Sequence, residues 1–101
     1  MPNMNDILRQ ANIMQRKVSK LQEELAEKEF EASSGGGMVK VVVTGQQKLK
    51  SIVIEPGATQ DLEMLQDLIV AAVNEAGRIA RETMERELGA LTGNIHLPGI
   101  F

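Results

Sequence analysis

An unbroken apolar stripe near the start of the chain does most to limit the folds open to it. Apolar residues recur along this stripe at spacings of three and four positions. They are Met4, Ile7, Ala11, Met14, Val18, Leu21 and Leu25. This is the a/d pattern of a helix that packs against another helix, and neither Gly nor Pro interrupts residues 4–29. The stripe therefore predicts a helical rod of roughly 39 Å, with Asn3 as its N-cap.

The narrowness of this stripe leaves two packing arrangements open. The helix can pack against another helix of its own or a second subunit, or it can cover a sheet in its own subunit. A narrow stripe suits a helix contact better than a broad core. Met14, Val18 and Leu21, in the C-terminal half of the stripe, are therefore candidate residues of a dimer interface.

The middle of the chain has the composition of a β-meander. A short strand candidate at residues 30–34 is followed by three glycines and then by the valine-rich segment 38–44. A turn at Gly45 leads to the strand candidate 48–55, which Pro56-Gly57 ends. The register of the second hairpin stays open, because Gly45 can either open a two-residue turn or lie in a longer loop.

A second long helix is predicted to begin near Thr59 to Asp61 and to run to about Leu88, with Gly89 just past its end. Its apolar face is broad, which suits packing on a sheet. Gly77 lies inside it, next to Ala76, on a surface of small residues where another backbone can come close. Ala76 and Gly77 are therefore further candidates for the dimer interface.

Together these elements predict an α+β fold in the order α-β-β-β-α, with a three-stranded antiparallel sheet and two long helices. Residues 1–90 are expected to form a single domain, and residues 91–101 an apolar C-terminal tail that contains Gly and Pro. Apolar strands at the two edges of a small sheet invite pairing or coverage by a partner, so the chain is expected to form a homodimer.

Composition argues against several classes of function. The chain has no cysteine, and its one histidine, His96, lies in the predicted tail, which removes thiolate chemistry and leaves little for a metal site or a catalytic triad. No phosphate-loop lysine follows the glycine triplet. We therefore expect no enzymatic activity, no cofactor, no metal and no small-molecule substrate. No apolar run approaches the roughly 18 residues of a membrane helix, so no membrane partner is expected either.

Charge is distributed unevenly along a chain whose net charge is −3. Basic residues prevail in residues 1–22 and 32–54, and acidic residues prevail in residues 23–31 and 56–101. The cations of the first helix are Arg9, Arg16, Lys17 and Lys20. Arg16 and Lys17 have no carboxylate three or four positions away, so neither can form an ion pair along its own helix.

Two interpretations of these cations remain open. An unpaired row on a rigid rod suits contacts to a phosphate backbone, with Lys48 and Lys50 as a secondary site. Alternatively, the row pairs with acids of another element or subunit, for which Glu23–Glu31 is available. In the second helix, Glu82 and Glu85 lie four residues from Arg86 and Arg81 and are expected to pair with them.

Four segments in order resemble the YbaB/EbfC family of nucleoid-associated proteins. They are ILRQANIMQRKVSKLQEELAE, GGGMVKVVVTGQQKLKSIVIEP, LQDLIVAAVNEAGRIA and LTGNIHLPGIF. The resemblance implies an α-β-β-β-α fold and a small bacterial cytoplasmic homodimer. It also implies binding of duplex DNA by helices that project like tweezer arms, in association with the nucleoid rather than in catalysis.

Two hypotheses about function follow. The first is a nucleoid-associated homodimer that grips duplex DNA mainly by phosphate contacts and has a role in nucleoid organisation or gene regulation. The second is a dimeric protein–protein interaction module without direct nucleic-acid binding. Aromatic residues make up only 2% of the chain, so stacking on single-stranded bases is not expected under either hypothesis.

Overall fold

The computed structural model describes residues 3–92, and it confirms the α+β class and the α-β-β-β-α order. Helix α1 (Met4–Glu27) is followed by strands β1 (Glu29–Ser34), β2 (Val39–Thr44) and β3 (Leu49–Ile54), and then by helix α2 (Leu62–Thr92). Short 3-10 turns at Gly35–Gly37 and Pro56–Gln60 complete the order. His96 and the rest of the predicted tail after Thr92 lie outside the described residues.

Both long helices begin at side-chain caps. Asn3 caps α1, since its Oδ1 accepts a hydrogen bond of 2.9 Å from the Asp6 amide, as the sequence predicted. Of the two cap candidates for α2, Asp61 takes the role, because its carboxylate accepts a 3.0 Å bond from the Met64 amide. The Thr59 hydroxyl instead donates to the Pro56 carbonyl at 2.6 Å.

The three strands form an antiparallel sheet in the order β1-β2-β3. The register pairs Ala32 with Val41, and Val41 in turn with Ile52. It shifts between Val42 and Val43, which pair with Ser51 and Leu49, so Lys50 is an extra residue in β3. This β-bulge and a loop longer than two residues settle the second hairpin, whose register the sequence left open.

The core lies between α2 and one face of β1 and β2. Val39 and Val41 of β2 are fully buried, and so are Ala72, Ala76 and Ala80 of α2. Alanines on the packing face let the helix axis approach the sheet closely, and the valines fill the space beneath it. Phe30, Ala32, Val43 and Leu65 complete this layer.

The glycine turn between β1 and β2 is held against α2. All three of its glycines have positive φ, a conformation that other residues seldom adopt. A Cβ atom on Gly35 would lie 2.9 Å from Cδ1 of Leu68, and the Ser34 hydroxyl donates a 2.6 Å bond to the Leu68 carbonyl. The segment is a hairpin turn packed on α2, in keeping with its sequence context.

The predicted end of the second helix was wrong. Helix α2 continues through Gly89 to Thr92, so Gly89 is an interior residue and not the residue after the helix. An interior glycine costs about 1 kcal/mol relative to alanine, and helix α2 continues past it to a region where Leu91 lines a groove together with Leu21 of α1.

The subunit is long and thin, with principal extents of 70 × 23 × 15 Å. Helix α2 crosses β1 and β2, passes the β2–β3 turn where Gly77 faces Gln47, and continues beyond the sheet to meet α1. The two helices therefore form an arm that extends from the sheet.

Candidate nucleic-acid interface

Helix α1 is anchored at its C-terminal end and exposed at the other. Leu25 is its one buried residue, and the Gly45 amide donates a 3.0 Å bond to the Lys28 carbonyl just past the helix. From Met4 to Ile13 every residue except Asp6 is exposed. A rod held in this way presents its side chains to solvent in a fixed arrangement.

Most of the cations predicted on α1 are available to a ligand. Arg16, Lys17 and Lys20 are exposed, and none has an ion-pair or hydrogen-bond partner within residues 3–92. Arg9 donates to Asp6 at 3.2 Å, but the two side chains are 71% and 43% exposed, so water and salt weaken this pair. None of these four cations pairs with the acids of Glu23–Glu31 in the described subunit; the one ion pair of that segment within residues 3–92 is between Glu29 and Lys50.

These cations share one side of α1, which we call the basic face: Arg9, Arg16, Lys17 and Lys20. At about 100° per residue, Arg9, Arg16 and Lys20 fall within about 40° of one another around the helix axis. Lys17 lies about 60° further round, at the edge of a shallow groove of about 280 Å³. The groove is lined by Lys17, Lys20, Leu21, Glu24 and Leu91. The fold thus places the predicted cations on one side of α1, where the carboxylate of Glu24 lies beside Lys17 and Lys20 at the groove.

The two lysines predicted as a secondary site differ from each other. Lys48 is exposed in the turn before β3 and has no ion-pair partner in the part of the chain that the structure describes. Lys50, in the bulge, pairs with Glu29 of β1, and both side chains are more than half exposed. A solvated pair of this kind is weak, so Lys50 remains accessible but its charge is partly offset.

The expected ion pairs of α2 were wrong. Arg78 takes Glu82 at 2.7 Å and also binds Glu75, so the Glu82–Arg86 and Glu85–Arg81 pairs do not form. The two carboxylates raise the pKa of Arg78, and hydrogen bonding to Arg78 lowers the pKa of Glu75. Arg81 and Arg86 are exposed and have no ion-pair or side-chain hydrogen-bond partner within residues 3–92. Sequence reasoning missed them because both have a glutamate at helical spacing.

The predicted dimer residues occupy different environments. Met14, Val18 and Leu21 are half-buried on α1. Ala76 is fully buried in the core of its own subunit and leaves no surface for another chain. Gly77 is half-buried, and a Cβ atom there would meet only Oε1 of Gln47 at 3.7 Å, an ordinary contact. Within the subunit, Gly77 is therefore not a point of close backbone approach.

An apolar surface that the sequence did not single out lies along β3 and α2. Helix α2 covers β1 and β2 but leaves β3 largely bare, so Leu49 and Ile52 are 46% and 39% exposed. On α2, Leu62 and Val70 are 65% and 58% exposed. Val70 lies two turns before Gly77 on the flank that faces the β2–β3 turn. We call Leu49, Ile52 and Val70 the β3–α2 surface.

Two other kinds of site are not found in residues 3–92. No group of three or more His, Cys, Asp or Glu side chains is placed to hold a metal ion. Neither long helix contains an apolar segment sufficient to cross a bilayer over the same residues.

Comparison with known proteins gives this geometry a context. The sequence matches the YbaB/EbfC DNA-binding family over residues 1–95. It is 54% identical to a nucleoid-associated protein of Moorella thermoacetica, over 98% of this chain and 97% of that protein. It is 49% identical to a nucleoid-associated protein of Alkaliphilus metalliredigens, over 99% of this chain and 90% of that protein.

A solved structure shows the same fold. The crystal structure of the uncharacterized protein HP0035 from Helicobacter pylori superposes with a TM-score of 0.77. The alignment covers 92% of this chain and all of that one, at 22% sequence identity. With the family match over nearly its whole length, the chain belongs to the YbaB/EbfC DNA-binding family.

Proposed function

We propose that the protein is a nucleoid-associated homodimer that binds duplex DNA through the basic face of α1, mainly by contacts to phosphates. The observation that carries the proposal is the set of unpaired, exposed cations Arg16, Lys17 and Lys20 on a rigid helix. Cations without carboxylate partners are free to replace the counterions of DNA. The family description supplies DNA as the ligand, and the names of the relatives support the nucleoid as the location.

Phosphate contacts explain how a chain of net charge −3 can bind DNA. Several of its carboxylates are already engaged by other cations, among them those of Glu75 and Glu82 with Arg78 on α2. The exposed cations of the basic face that lack such partners can therefore attract phosphates locally although the net charge is negative. Because no strong base-reading cluster accompanies these cations, sequence preference is expected to be modest.

A second copy of the chain doubles this surface. One row of four charges binds weakly, whereas two rows from a dimer can straddle a duplex. The β3–α2 surface is the proposed contact between copies, because its exposed leucine, isoleucine and valine side chains are stabilised by burial. Met14, Val18, Leu21 and Gly77 remain proposed interface residues, and Ala76 is left out because its own core encloses it.

Further cations extend the proposed interface beyond α1. Arg81 and Arg86 lie on the part of α2 that runs out beside α1, and Lys48 and Lys50 form the secondary site near the sheet. The resulting role is one of binding rather than catalysis, in the organisation of the nucleoid or in gene regulation.

A titration of labelled duplex DNA over a salt series tests the proposal. The logarithm of affinity should fall linearly with the logarithm of salt concentration, with a slope near −0.9 for each phosphate neutralised. The double variant Arg16→Ala/Lys17→Ala should bind all duplexes more weakly and with a slope smaller by about 2, one for each lost contact. Both residues are exposed, so folding should be unaffected.

The matched control removes one arginine and one lysine elsewhere. Lys40→Ala/Arg78→Ala changes the net charge equally, but Arg78 is already engaged by two glutamates and Lys40 lies on β2. The control should keep the slope of the parent. If both double variants lose affinity equally, net charge and not the basic face decides binding. If the parent shows no binding at low salt, the protein–protein interaction module is the better account.

A further inference from the structure

Ile13 is an apolar residue of α1 that lies on the same side of the helix as the cations. Its side chain is 42% exposed, and it does not belong to the core between α2 and the sheet. At about 100° per residue, Ile13 lies about 140° round the helix axis from Val18, away from the apolar stripe. Packing within residues 3–92 therefore does not account for an isoleucine at this position.

The neighbours of Ile13 on the helix surface are cations. Arg9 lies four residues before it, and Arg16 and Lys17 lie three and four residues after it. Around the helix axis, Ile13 is about 40° from Arg9 on one side and about 40° from Lys17 on the other. The carboxylate of Asp6, two turns earlier on this side, is engaged by Arg9. A single exposed apolar residue is ordinary on a protein surface, but this one is placed in the middle of a candidate DNA contact.

The first half of α1 has the shape to enter the major groove of a duplex. From Met4 to Ile13 every residue except Asp6 is exposed, so no other element within residues 3–92 encloses this half of the helix. An α-helix with its side chains is about 10–12 Å across, and the major groove of B-DNA is about 12 Å wide. When Arg9 and Lys17 reach phosphates on the two flanks, the side chain between them faces the base edges on the floor of the groove.

Thymine offers the partner that an isoleucine side chain requires there. Its C5-methyl group is an apolar feature of the major-groove floor, whereas the other base edges present hydrogen-bond donors and acceptors. Isoleucine has no group that can bond to those donors and acceptors, and covering them without a bond is costly. Contact with a methyl group instead removes apolar surface from water on both partners.

We propose that Ile13 contacts thymine methyl groups in the major groove and gives the protein a modest preference for duplexes that contain thymine. This proposal rests on the proposed function and names the base feature that the basic face of α1 reads. Insertion of Ile13 between base pairs from the minor groove is disfavoured, because a groove about 6 Å wide does not admit an α-helix.

Two duplexes of one sequence, made with thymidine or with deoxyuridine, test the proposal. The two differ only by the C5-methyl group, so base pairing and the minor-groove edges are the same. In fluorescence anisotropy titrations, the full chain should bind the thymidine duplex more tightly, by about fourfold for each methyl group contacted. Ile13→Ala should bind the two duplexes equally. Its salt slope should equal that of the parent, because no cation has been removed.

Leu8→Ala is the matched control. Leu8 is 54% exposed on the same helix but lies about 140° round the axis from Ile13, so this variant should keep the preference for thymidine. Alanine is a better helix former than either residue, so both variants should stay folded by circular dichroism.

The possible results separate this proposal from the proposed function. A preference for thymidine that Ile13→Ala abolishes and Leu8→Ala retains supports the proposal. Equal binding of the two duplexes by the parent overturns it and leaves the phosphate contacts of the basic face standing. A preference that survives in Ile13→Ala overturns it too, since another residue then contacts the methyl group. If the parent binds neither duplex at low salt, the proposed function and this proposal both fail.

Discussion

Gly45 lies directly against the backbone of Leu25. A Cβ atom on Gly45 would stand 2.6 Å from the Leu25 carbonyl carbon and closer still to the carbonyl oxygen. Next to this contact, the Gly45 amide donates to the Lys28 carbonyl. The end of α1 is thus held on the β2–β3 turn at a distance that only glycine permits, and this contact fixes the direction in which the arm leaves the sheet.

Replacement of Gly45 should therefore be costly. In Gly45→Ala the new methyl group meets backbone atoms, which cannot move aside as a flexible side chain can, so the stability of the fold should fall by about 3 kcal/mol or more. Urea unfolding measures this loss. Gly57→Ala is the control, since its Cβ atom meets nothing within 4 Å, and it should be neutral or slightly stabilising. Equal stability of the two variants would show that α1 can shift away from the turn.

Local sequence patterns predicted the order of the helices and strands. They did not predict contacts between segments that are far apart in the sequence. Asn3 and Asp61 cap their helices through residues three positions away, so sequence spacing suffices to identify them. Gly45 contacts Leu25, which lies twenty positions earlier, and no helix or strand periodicity in the sequence predicts that contact. Gly89 was also misplaced, because glycine spacing marks a common helix end but does not show that α2 continues to the groove that Leu91 lines with Leu21 of α1.

The same distinction between local spacing and three-dimensional contacts applies to the candidate site. The unpaired state of Arg16 and Lys17 follows from their helical neighbours and could be predicted from the sequence. The freedom of Arg81 and Arg86 could not, because several pairings of glutamate and arginine satisfy helical spacing on α2 and side-chain geometry selects those of Arg78. The exposure of Ile52 depends on where α2 crosses the sheet, which the strand sequence does not state.

A second glycine should respond in the opposite way to Gly45. The sequence suggested that Gly77 permits close backbone approach, in which case Gly77→Leu would be destabilising by overpacking. Within the subunit the site has room for a methyl group, since the nearest atom to a Cβ there is Oε1 of Gln47 at 3.7 Å. We expect Gly77→Ala to stabilise the protein by up to about 1 kcal/mol through helix propensity. A lower melting temperature at the same protein concentration would instead place a partner's backbone against Gly77.

The β3–α2 surface can be tested by its effect on assembly. Sedimentation equilibrium at micromolar concentration should give twice 11.0 kDa for the parent chain. Val70→Asp places a charge in the proposed contact and should shift the mass to that of a monomer. Because Val70 is 58% exposed in the subunit, the monomer should remain folded by circular dichroism.

Leu8→Asp is the matched control for assembly. It introduces the same charge at a similarly exposed position, 54%, but on α1. The dimer should persist in this variant if the β3–α2 surface is the contact. Dissociation by Leu8→Asp with retention of the dimer in Val70→Asp would move the interface to the α1 stripe that contains Met14, Val18 and Leu21.

The arginines of α2 test most directly whether an arginine must lack a carboxylate partner in order to contribute to DNA binding. Arg78, Arg81 and Arg86 belong to one helix, and alanine at each position removes the same charge. Arg78 is bound by Glu75 and Glu82, whereas Arg81 and Arg86 have no such partner within residues 3–92. Arg81→Ala and Arg86→Ala should each weaken binding to every duplex and reduce the salt slope by about 1. Arg78→Ala should change the slope little, because this guanidinium would first have to leave its two glutamates.

Duplex titration at several salt concentrations compares all three variants directly. If the slope falls by the same amount in each, the ion pairs of Arg78 open in the complex, and the number of positive charges on the arm matters more than their pairing in the free protein.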